Sequence, residues 1–124
     1  LLDGTIDPDP FPAWMTPDDL AVYIEAFETS GWVGPFNRYR AQGLDADELG
    51  SLPDSHLHQP TAFVAGALDG VRNFVPGLDL FDFAPVFCTD FRGSTIIPDV
   101  GHWIQQEAPA ATNAALDAFV DSLA

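Results

Sequence analysis

Asp69 and His102 are the residues of this chain whose types and settings could move a proton. Asp69 closely follows the apolar run TAFVAGA, and His102 follows STIIPDV, between Gly101 and Trp103. A carboxylate that accepts the Nδ1 hydrogen of an imidazole fixes its tautomer and stabilises the imidazolium. Nε2 is then left to take a proton from water or from a nucleophile. Taken singly, His102 reads as readily as a structural histidine, and Asp69 as a turn former or helix cap. Position would make them a pair, because open α/β sheets collect their active sites outside the carboxyl ends of adjacent strands.

Such a pair needs a scaffold, and the chain reads as part of one. Its 124 residues hold one domain at most. Apolar residues make up 47% and aromatic residues 12%, which excludes the composition of a disordered chain. The formal charge of -15 repels phosphate backbones and anionic lipid surfaces, so neither nucleic acid nor membrane is an expected partner. One cysteine, Cys88, allows no intrachain disulfide and no multi-cysteine zinc site, and reads as a buried small hydrophobe. The opening LLDGTIDPDPFP lacks the basic start and apolar core of a signal peptide. The chain does not open on Met, and a preceding segment is expected.

Pro8, Pro10, Pro12 and Pro17 make residues 1–17 an extended arm. A helix follows, with Thr16 as N-cap, Pro17 at its first position and Gly31 just past its end. Leu20, Tyr23, Ile24 and Phe27 share one of its faces, and Tyr23 reads as packing. Gly34-Pro35 reads as a turn before a short helix from Phe36 to about Gly43, and Asp45 to Gln59 as a polar, acidic linker. TAFVAGA and STIIPDV read as two parallel strands buried on both faces, the second limited by Pro98. Residues 70–92 are irregular and Phe-rich, with room for a short helix. APAATNAALDAFVDSLA reads as a helix whose Ala115, Leu116, Phe119, Val120 and Leu123 cover a core. Two parallel strands do not stand alone in water, so the chain is expected to be the edge of a larger sheet.

A resemblance gives these elements a context. DVGHWIQQEAPAATNAALDAFV resembles the closing segment of the epoxide hydrolases of the α/β-hydrolase fold, most of all bacterial, mycobacterial-type members. PTAFVAGALDGV is similar to that family's acid-bearing strand, and PAWMTPDDLAVYIEAFETSGWVGPFNRYR to the end of its helical lid. The likeness covers about two thirds of the chain and leaves residues 41–59 and 71–93 unmatched. It implies the C-terminal part of an α/β-hydrolase domain: residues 1–44 the end of the lid, residues 45–124 the core with two parallel strands and the closing helix. It implies His102 and Asp69 as base and orienting acid, Tyr39 as the lid tyrosine that hydrogen-bonds the epoxide oxygen, and Trp103 at the pocket wall. From the residues alone, Tyr39 beside two arginines is a half-buried ring with a solvated hydroxyl.

The family's chemistry also needs an aspartate nucleophile on a sharp strand-to-helix turn, and the 124 residues hold no G-x-[DSC]-x-G. None of the three histidines is followed by Gly, so the oxyanion-loop motif is absent too. The chain by itself is expected to be inactive and to partner the N-terminal part of the same domain, as a separate chain or a continuous one. It is also compatible with a homo-oligomer. The expected substrate is a small neutral epoxide, with no cofactor and no metal. His56 and His58, two apart in an acidic segment, are a weak ligand pattern. Asp79, Asp82 and Asp90 show no partner pattern and read as turns and solvated edges. A haloalkane or haloacetate dehalogenase shares the ester chemistry, though NRYR argues for the epoxide and its Arg38 departs from the aromatic common at that position. An esterase would need a serine elbow upstream, and a fragment that only binds would restore no turnover to the missing half.

Overall fold

The structure, a computed structural model, describes residues 6–124; the start of the expected proline-rich arm lies outside them. The chain divides into two compact units, one ending at Ala46 and the other Asp47–Ala124.

In the first unit, Pro8, Pro10 and Pro12 lie in a stretch without regular structure, and helix α1 (Pro17–Ser30) opens as expected. Thr16 Oγ1 accepts the Asp19 N–H at 3.1 Å while Asp19 Oδ2 accepts the Thr16 N–H at 2.8 Å. This reciprocal pair satisfies two donors that a helix start leaves open. Gly31, at φ +68°, ends the helix and donates its N–H to Phe27 O. Helix α2 (Val33–Arg40) begins earlier than expected, because Gly34-Pro35 forms its first turn rather than preceding it. A proline there forfeits no intrahelical bond. Helix α3 (Gln42–Gly50) occupies the front of the expected linker. Leu44, Ala46, Glu48 and Leu49 outweigh the cost of Gly43, and the Arg38–Asp45 ion pair at 2.6 Å joins the two helices. Leu20, Tyr23, Ile24 and Phe27 line one groove with Trp32, whose ring stacks on Phe27 at 4.2 Å.

The second unit is built on β1 (Thr61–Gly66) and β2 (Phe91–Ile97), paired in parallel, with Gly66 opposite Ile97 at their common end. Two 3-10 helices, Gly70–Asn73 and Leu80–Phe87, lie on the connection between them. Past β2 come the single turn α4 (Ile104–Glu107) and the closing helix α5 (Pro109–Asp121). The core gathers Ile97, Val100 and Ile104, with Val64 and Ala108 against them. Each such side chain withdrawn from water contributes about 1.5–3 kcal/mol.

Burial on both faces is not reached among the described residues. Arg92 to Thr95 of β2 are exposed, although Phe81 packs on Phe63 of β1 with ring centroids 5.0 Å apart and Arg92 Nη1 reaches Ser122 O just past α5 at 3.3 Å. On α5 the inward side is Thr112, Ala115 and Phe119, spaced i, i+3, i+7, with Thr112 Oγ1 donating to Ile104 O at 2.9 Å. Leu116, Val120 and Leu123, expected in the core, form an uncovered stripe beside it. Cys88 is half-buried rather than buried, its thiol near Ala84 O at 3.4 Å. Among the described residues no helix is long and apolar enough to cross a membrane.

Candidate active site

Both strands end at the same level, so the segments leaving them emerge side by side. Beyond Gly66 the chain holds to β2, with Ala67 N–H donating to Ile97 O and Leu68 N–H to Val100 O, each at 2.9 Å. That contact requires Gly66: a Cβ there would stand 2.1 Å from Gly101 O and 2.2 Å from Val100 O, both rigid backbone atoms. Asp99 supplies the turn, at φ +59°, a left-handed conformation that Asp tolerates better than most residues. Val100 and Ile104, each 8% exposed, anchor the segment two residues before and two residues after His102.

His102 Nδ1 lies 2.9 Å from Asp69 Oδ2. Asp69 is 8% exposed and also caps the first 3-10 helix, its Oδ1 accepting the Val71 N–H at 2.9 Å. The helix-cap and triad-acid readings are thus both true, one carboxylate oxygen serving each. Burial alone would raise the Asp69 pKa; the Val71 N–H and the His102 imidazole outweigh it and hold it below the ordinary carboxylate value. An ionised carboxylate only accepts, so Nδ1 carries the hydrogen, and in the neutral imidazole Nε2 bears the lone pair. Nε2 has no partner among the described residues, and the His102 side chain is 55% exposed. The imidazole is oriented at one nitrogen and open for proton transfer at the other.

The pair borders a recess of about 390 Å³ lined by Phe63, Val71, Phe81, Trp103 and Gln105 among others. Trp103 stands edge to face with His102, ring centroids 5.2 Å apart. Tyr39 belongs to the first unit, on α2, and is 68% exposed.

Two features escaped the sequence. Asp79, read as partnerless, accepts from Arg72 Nε at 2.6 Å and caps the second 3-10 helix through Phe81 N–H, while Arg72 lies over the Phe81 ring. The hydrogen bond from Arg72 chiefly holds the Asp79 carboxyl below its ordinary range. Asp90 likewise pairs with Arg92, at 2.6 Å. No periodicity links Arg72 with Asp79, because an irregular connection brings them together. The other is Glu107, whose carboxylate accepts from Gly101 N–H at 2.6 Å and Trp103 N–H at 2.9 Å. The histidines of HLH both contact Asp54, at 2.8 Å each, and these hydrogen bonds lower its pKa, that from the His56 N–H most. Among the described residues no group of three or more His, Cys, Asp or Glu is placed to hold a metal ion.

No model of a known protein family matches the chain. Individual proteins do. Epoxide hydrolase B of Mycobacterium tuberculosis is 37% identical over 123 residues, 99% of this chain and 34% of that protein. Epoxide hydrolase A of the same organism is 34% identical over 125 residues, 98% of this chain and 38% of that protein. The similarity therefore runs through residues 41–59 and 71–93 as well. Among solved structures, epoxide hydrolase A from Mycobacterium thermoresistibile superposes with a TM-score of 0.81 at 31% identity, over 94% of this chain and 35% of that one. An epoxide hydrolase from an endophytic Streptomyces does so with a TM-score of 0.81 at 38% identity, over 92% and 34%. The chain spans about a third of the length of the relatives it matches. Over nearly its whole length the chain is thus similar to a third of these epoxide hydrolases, and its two parallel strands and flanking helices share that part of their α/β-hydrolase fold.

Proposed function

We propose that the chain supplies the water-activating part of an epoxide hydrolase site, completed by a segment outside these 124 residues. The observation that carries this is the His102–Asp69 pair at 2.9 Å, with Nε2 unpartnered among the described residues, in a chain similar to epoxide hydrolases. In the proposed reaction an aspartate of the completing segment attacks an epoxide carbon and the ring C–O bond breaks, giving an ester. Tyr39, as part of a lid comprising residues 1–44, donates a hydrogen bond to the departing oxygen as its charge develops. His102 Nε2 then takes a proton from water, whose oxygen adds to the ester carbonyl. The acyl C–O bond breaks, the imidazolium gives its proton to one product oxygen and the water-derived acid O–H gives its proton to the other, so the aspartate is regenerated as a carboxylate and a neutral vicinal diol leaves. Asp69 orients His102 throughout and stabilises its cation. Trp103 forms part of the pocket wall, and the apolar lining of the recess suits a small neutral epoxide.

The test is chemical quench with the chain and its completing segment together. The parent should form ester and release diol, with solvent oxygen entering the product over many turnovers. His102→Gln should accumulate ester without diol; diol release at the parent rate would overturn the role of His102. The 124-residue chain alone should yield neither product.

A further inference from the structure

We propose that Glu107 is a positioning residue for His102, clamping the two peptide N–H groups that flank the histidine. The proposal rests on the reading of His102 as the base, but its evidence is separate. Glu107 Oε2 accepts the Gly101 N–H at 2.6 Å and Oε1 the Trp103 N–H at 2.9 Å. One carboxylate thereby spans the backbone from the amide before His102 to the amide after it, using both oxygens. The grip is closed from the other side too, since Glu107 donates its own N–H to Trp103 O at 2.8 Å. Gly101 leaves the carboxylate room: a Cβ there would stand 2.9 and 3.1 Å from its two oxygens, close enough that the carboxylate would have to shift.

The clamp addresses a specific weakness. The His102 side chain is more than half exposed and touches Asp69 through one hydrogen bond, so its aim depends on the backbone beneath it. Val100 and Ile104 hold that segment two residues away on either side, and Glu107 holds the N–H groups of the residues directly before and after the histidine. Hydrogen bonds to an ionised acceptor are the stronger kind, and two on one carboxylate define direction as well as distance. Misplacing a proton-transfer group by about 1 Å can cost on the order of 10²-fold in rate. Glu107→Gln keeps the size but turns an amide NH₂ toward one of the two N–H donors.

The experiment compares Glu107→Gln and Glu107→Ala with the parent, each completed by the segment supplying the nucleophile, with ester formation and ester hydrolysis timed separately. Hydrolysis should slow about 10- to 100-fold in both while ester formation stays within about twofold, and amide exchange at Gly101 and Trp103 should accelerate in the Gln variant. A merely structural glutamate would slow both steps together; that result, or hydrolysis at the parent rate in the Gln variant, overturns the proposal. If Glu107→Ala fails to fold, the isosteric variant carries the test. His102→Gln, run alongside, separates the two ideas. Unimpaired hydrolysis there removes the base assignment and the catalytic part of this proposal with it, while amide exchange still decides whether the clamp exists.

Discussion

Replacing Asp69 by Asn tests the proposed site through a single hydrogen. Oδ1 of Asp69 is committed to the Val71 N–H at 2.9 Å, so the amide oxygen of an asparagine takes that position. Its NH₂ must then face His102 Nδ1, where Oδ2 now lies at 2.9 Å. Two donors cannot share that contact, so Nδ1 gives up its hydrogen and Nε2 carries it, leaving no lone pair to receive a proton from water. Wrong-tautomer substitutions of this type lower turnover on the order of 10⁴-fold. That equals about 5.4 kcal/mol in the barrier to ester hydrolysis. Ester formation does not use His102 in the proposed sequence and should stay near the parent rate, so ester accumulates and is read by intact mass. Nitrogen-15 NMR should show the His102 hydrogen on Nε2 in the variant and on Nδ1 in the parent. Hydrolysis within tenfold of the parent, or a variant that keeps its hydrogen on Nδ1, would refute the reasoning.

Gly66→Ala should destabilise the fold by about 1–3 kcal/mol, since the new Cβ meets rigid backbone of the His102 segment; an unchanged denaturant midpoint would show that the segment yields freely. Asp69 and Asp79 both have lowered folded pKa values, so each contributes stability that is present above the unfolded value of about 3.9 and is lost as pH falls through the folded one. Melts taken from pH 6 to pH 2 should therefore be level down to about pH 4 and fall below it, and Asp79→Asn should flatten the fall. Tyr39→Phe should slow ester formation on the order of 10²-fold and leave hydrolysis untouched, the reverse of the Asp69 signature. Equal rates in both steps would remove Tyr39 from the chemistry.

Helix α1 was legible almost to the residue, because Thr16, Pro17, Asp19 and Gly31 act on backbone groups within a few positions of themselves. β1 was legible for a similar reason, as a short apolar run bounded by turn residues, but only Ser94–Ile97 of STIIPDV lie in β2, which opens at Phe91 in the stretch read as irregular and stops before Pro98. Where a local signal was ambiguous, context prevailed. Gly34-Pro35 serves a helix start as well as a turn, and Gly43 yielded to the helix formers around it. The expected core face of α5 was half right: apolar spacing marks two adjacent stripes, and only the packing of Thr112 selects which is covered.

The sequence by itself determined that an acid and a histidine follow two strands, since chain order and residue type are local facts. Only the tertiary structure decided that they meet, because the parallel register that sets Gly66 opposite Ile97 levels the two strand ends. It also decided the division of labour on Asp69, one oxygen to Val71 and one to His102, and the reach of Glu107 across the histidine. Those depend on distances between segments, which no spacing along the chain encodes.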